Sequence, residues 1–77
     1  MDSRFLNVVV NGYSMWPTLK QGSTAKFERI DPNSVAVGQI VLLDHPFRPN
    51  LRIIKRVQSI EDSRLFLVGD NPDPTAS

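Results

Sequence analysis

The chain contains no cysteine, so no disulfide can staple it and no thiolate can bind a metal or attack a substrate. That excludes a disulfide scaffold and thiol-based catalysis. Histidine is nearly absent too: His45 stands alone, between Asp44 and Pro46 in a polar turn. No charge of one sign prevails, with 9 Lys+Arg against 8 Asp+Glu and a net charge of +1. Nothing there pulls the chain towards nucleic acid, and no nucleic-acid partner is expected. Long apolar runs are also missing. The longest, Val8-Val9-Val10 and Ile40-Val41-Leu42-Leu43, fall far short of the roughly 20 residues a membrane-crossing helix needs. Met1-Asp2-Ser3-Arg4 does not open a secretory signal. The expected location is the cytoplasm, with a peripheral position at the membrane as the alternative. No metal site and no cofactor is expected.

What remains suits a small folded unit. The hydrophobic fraction is 40%, too high for a disordered chain. A length of 77 residues holds one domain, spanning 1–77, with a modest buried core. Prolines and glycines punctuate short apolar segments. Phe5 to Val10, Ser23 to Ile30, Gln39 to Asp44, Leu51 to Ile60 and Arg64 to Val68 read as strands. Turn formers separate them: Asn11-Gly12, Gln21-Gly22, Asp31-Pro32-Asn33-Ser34, His45-Pro46 with Pro49-Asn50, and Glu61-Asp62-Ser63. Trp16 to Lys20 forms at most one helical turn, with Pro17 near its start. The predicted fold is all-β, a curved, partly barrel-like antiparallel sheet. The tail from Gly69 to Ser77 reads as a loop.

Two residues carry candidate chemistry. Ser14 follows the first strand on a turn bounded by Gly12 and Pro17. Such a turn projects the hydroxyl at a rim, where backbone N–H groups without strand partners can hold an oxyanion. An ordinary turn serine that caps the next helical turn would look the same locally. A serine needs a base to become a nucleophile, and His45 reads as a solvated turn residue. Lysine is the other candidate. Period-2 alternation puts Leu51, Ile53, Lys55 and Val57 on one face of the fourth strand, and Arg52, Ile54, Arg56 and Gln58 on the other. An ammonium on the apolar face loses hydration, and its pKa is expected to fall towards neutrality. Snorkelling to water, or a bulge that turns Lys55 outward, is the competing reading. Lys20 and Lys26 read as solvated surface residues.

These residues fall into an ordered set. Gly12-Tyr13-Ser14-Met15-Trp16-Pro17-Thr18-Leu19 resembles the nucleophile box of type I signal peptidases. Ile54-Lys55-Arg56-Val57 resembles their general-base box, and Val68-Gly69-Asp70-Asn71 the start of their third box. Val37-Gly38-Gln39-Ile40-Val41 resembles the stretch between the first two. The resemblance implies a serine endopeptidase with a Ser14/Lys55 dyad that acts on a pro-protein or leader peptide. Ser14 would form an acyl-enzyme, and Lys55 would take its proton and then activate water. The Ser14 N–H would serve the oxyanion hole, with a backbone donor at Gly12 where some members have a serine. Met15 would pack under the site, and Asp70 and Asn71 would belong to its polar support. The small size and missing anchor resemble the maturation proteases of nickel-type superoxide dismutase, where nickel belongs to the substrate.

The third box continues in the family through a serine and an Asp-Ser-Arg stretch, so the chain is expected to be truncated within it. Ser77 or Thr75 would stand for that serine. Self-cleaving repressor proteases of the LexA type share the dyad and a similar fold, but the continuation Pro17-Thr18-Leu19 and the Gly69-Asp70-Asn71 box favour the signal peptidase side. A non-catalytic β-barrel peptide-binding module, with Tyr13 and Trp16 as contacts, is the alternative outside enzymes. Trp16 also permits weak contact with a membrane surface.

Overall fold

A computed structural model describes residues 4–73 and 75. Five strands form in the order β1 (Phe5–Val9), β2 (Thr24–Glu28), β3 (Ile40–Asp44), β4 (Arg52–Glu61) and β5 (Arg64–Val68). Each lies within two residues of the segment that the apolar runs and their turn formers predict. Where the sequence allows at most one helical turn, residues 14–18 form a single turn, closed by the Leu19 N–H donating to the Met15 carbonyl at 2.9 Å.

All pairing is antiparallel. β1 and β2 make a two-stranded sheet in which Phe5 faces Glu28 and Val9 faces Thr24. The long connection between them carries Ser14. β3, β4 and β5 form a meander in that spatial order. The β4–β5 turn is tight because Asp62 and Ser63 both take positive φ, at 49° and 65°, which matches the twist of the flanking strands. Between β2 and β3, Asp31 caps a short 3-10 turn, Pro32–Ser34, by accepting from the Asn33 N–H at 2.8 Å.

The two sheets stay separate and do not close into a barrel. An apolar cleft of about 710 Å³ opens between them, lined among others by Leu6, Phe27, Ile40, Leu42 and Leu65. The core is correspondingly thin. Among the described residues only Val10, Met15 and Val57 are buried apolar side chains. They come from the end of β1, the Ser14 loop and the middle of β4. The buried apolar side chains among the described residues therefore lie on the segments that carry or flank Ser14 and Lys55.

Candidate active site

Lys55 sits mid-way along β4, opposite Val41 on β3. Strand alternation sends it to the same face as Ile53 and the buried Val57. The register shift that bends β4 falls beyond it, between Val57 and Ser59, so the face of Lys55 is unaffected. Lys55 is half-buried, and so are Ile54 and Arg56 on the other face. Both sides of this stretch are therefore partly covered, where the sequence suggests one apolar and one mixed side.

Ser14 and Lys55 line one cleft of about 740 Å³, together with Val10, Met15, Leu42 and Ile53. Loop and strand come from distant parts of the chain, and the fold brings them to a common apolar wall. The Ser14 hydroxyl and the Lys55 ammonium make no hydrogen bond with each other or with any other described residue, and Lys55 has no ion-pair partner among them. Neither group is sealed from solvent. The Ser14 N–H likewise has no acceptor among the described residues. Met15 is 2% exposed and lines the same cleft.

His45 reaches the rim of the same cleft. Its Nδ1 accepts from the Phe47 N–H at 3.1 Å, so the neutral ring carries its proton on Nε2. That nitrogen is then a donor and offers no lone pair to Ser14.

The serine loop is held on two sides. Asn71 donates from its backbone N–H to the Ser14 carbonyl at 2.9 Å and from Nδ2 to the Tyr13 carbonyl at 2.8 Å. Gly69 lies so close that a Cβ there would stand 2.5 Å from the Ser14 carbonyl oxygen. Thr18 Oγ1 donates to Asp70 Oδ2 at 2.6 Å. On the hairpin side, the Gly12 N–H, a candidate oxyanion donor on sequence grounds, donates to Gln21 Oε1. Gly12 has φ 89°, a left-handed backbone that suits glycine.

Arg56 completes the support. Its Nε and Nη2 donate to the two Asp70 oxygens at 2.8 and 2.6 Å, and its Nη1 donates to the Gly38 carbonyl at 2.7 Å. The hydrogen bond from Arg56, helped by Thr18, holds the Asp70 carboxyl down to about 2 against the desolvation that raises it. Asp70 in turn raises the Arg56 pKa. Adjacent residues on β4 thus do different things: Lys55 faces the cleft, and Arg56 grips the segment that holds the serine.

Asp70 and Asn71 reach the serine loop and Arg56; among the described residues they make no bond to Lys55. Thr75 Oγ1 donates to Asp73 Oδ1 at 2.8 Å, a local contact within the tail. Ser77 lies outside the described residues. Tyr13 and Trp16 are about half exposed, at 56% and 46%, beside the loop. Among the described residues no helix is long and apolar enough to cross a membrane, and no group of three His, Asp or Glu side chains stands close enough to hold a metal. Sequence reasoning missed Gln21, read as a turn former, and the Arg56–Asp70 pair. Nothing local signals either of them.

The family described as signal peptidase, peptidase S26, matches residues 3–64. The matched span holds Ser14 and Lys55 and stops short of Gly69-Asp70-Asn71. No curated protein and no solved structure matches.

Proposed function

Because this chain belongs to the signal peptidase family, peptidase S26, we propose that it is a serine endopeptidase with Ser14 as nucleophile and Lys55 as general base. One observation carries this reading: Ser14 and Lys55, from distant parts of the chain, line one cleft. The finer fold is that of the signal peptidase and LexA-type proteases.

The steps follow from the two groups. Lys55 Nζ takes the Ser14 hydroxyl proton as Oγ attacks the scissile carbonyl carbon. The Ser14 N–H faces the oxyanion that forms. Lys55 returns the proton to the leaving amine, and the C–N bond breaks to leave an ester on Ser14. Lys55 then takes a proton from water as the water attacks the ester carbon, and gives it to Ser14 Oγ as the acyl C–O bond breaks, releasing the new carboxyl terminus. The resemblance to signal peptidases implies small residues before the cut, and Val10, Met15, Leu42 and Ile53 give the cleft an apolar part to receive them.

The substrate is the leader of a pro-protein, and the precursor of nickel-type superoxide dismutase is the first to test. The reaction takes place in the cytoplasm, with Tyr13 and Trp16 available for peripheral membrane contact. The test is mass spectrometry of that precursor incubated with the protein. One cut at the leader junction supports the reading; an intact precursor removes this substrate. Pelleting with anionic lipid vesicles, lost in Trp16→Ala, supports the membrane contact, and equal negligible pelleting removes it.

A further inference from the structure

The geometry points to Gln21 as a positioning residue for Ser14, acting through the Gly12 N–H; this rests on Ser14 being the nucleophile. The β1–β2 register runs from Phe5 opposite Glu28 to Val9 opposite Thr24. The regular ladder ends at Val10, whose N–H donates to the Ser23 carbonyl at 2.8 Å. There the pairing slips by one residue: the Gly22 N–H donates to the Val10 carbonyl at 2.9 Å, and the Ser23 N–H turns back to the Lys20 carbonyl at 3.0 Å. Beyond the slip the Gln21 side-chain carbonyl takes the place of a backbone acceptor and receives the Gly12 N–H.

This bond sits where it matters for the serine. Gly12 is the residue of the loop with the fewest conformational restraints of its own. Two residues on, Ser14 is held through its carbonyl by Asn71 and against Gly69. Gln21 fixes the near end of the loop, and Asn71 the far end. The bond also occupies the Gly12 N–H, while the Ser14 N–H has no acceptor among the described residues and is open to an oxyanion. A side chain that aims a nucleophile acts on kcat, because a displacement of about 1 Å can cost up to ~10²-fold in rate.

The test uses the whole chain as wild type, Gln21→Ala and Gln21→Glu. Glutamate keeps an acceptor at the same reach, and alanine removes it. Amide exchange at Gly12, read by NMR, reports the bond itself. Cleavage of an internally quenched peptide with alanine before the scissile bond reports its consequence. In Gln21→Ala, Gly12 exchange is expected to speed up about tenfold. The kcat is expected to fall about tenfold, with KM within about twofold. Gln21→Glu is expected to restore most of both. Wild-type exchange and kcat in Gln21→Ala would overturn the proposal. So would equal losses in both variants, since a lost acceptor could not explain them. If wild type cleaves no leader peptide, the peptidase reading fails separately, and unchanged Gly12 exchange across all three proteins still overturns the role of Gln21.

Discussion

Arg56 and Asp70 meet in a two-point hydrogen bond, Nε to Oδ1 at 2.8 Å and Nη2 to Oδ2 at 2.6 Å. The pair ties β4 to the segment that holds the serine loop. Lys55 is the residue next to Arg56, so one strand orients both halves of the proposed site. Fork-to-fork geometry of this kind fixes position as well as contributing energy.

That pair sets a pH dependence. The Asp70 carboxyl is lowered to about 2 in the fold, against roughly 3.9 in an unfolded chain. A depressed carboxylate contributes stability that is present above its unfolded pKa and is lost as pH falls through its folded one. The contribution is therefore whole above about pH 4 and vanishes towards pH 2. Thermal melts of wild type and Asp70→Asn should differ by about 5 °C at pH 6 and converge towards pH 2. A constant gap across that range would remove the Asp70 carboxylate as its source.

Gly69 gives a sharper steric prediction. An added Cβ would meet the Ser14 carbonyl oxygen at 2.5 Å, and both are backbone-anchored, so neither yields cheaply. Gly69→Ala should push the serine loop out of line and lower kcat/KM on a leader peptide by about 10²-fold. Circular dichroism should stay native. Full activity in a folded Gly69→Ala protein would show that the loop relaxes without consequence.

Much of this was legible in the sequence, and the part that was not has a physical reason. Strand positions followed from short apolar runs between Gly, Pro, Asn and Asp, because those rules are local. The face of Lys55 followed from period-2 alternation, and the bulge near Gln58 lies too far along to invert it. The split into two sheets, where a partly barrel-like sheet is expected, did not follow, since it depends on how strands meet across the molecule. The partners of Asp70 did not follow either. Thr18 and Arg56 are remote from it in the chain, and a place in the polar support of the site does not tell which residues Asp70 bonds. Gln21 looked like half of a Gln-Gly turn, because its use depends on the register of a hairpin.

Met15 tests the thin core. It is one of three buried apolar side chains among the described residues and lies directly beside the serine. Met15→Ala should cost about 2–3 kcal/mol in urea unfolding, by lost transfer energy and the cavity left behind. Met15→Leu, nearly equal in volume, should cost under ~1.5 kcal/mol. Equal losses would place the effect in the loop backbone and not in packing.

The most direct measurement of the central claim compares leader-peptide cleavage by wild type, Ser14→Ala and Lys55→Ala, each shown to be folded. The account predicts that either substitution lowers kcat by about 10³-fold or more, and that the double variant is no slower than the worse single one, because the two groups act as a unit. Cleavage at the wild-type rate by a folded Ser14→Ala or Lys55→Ala protein would contradict it.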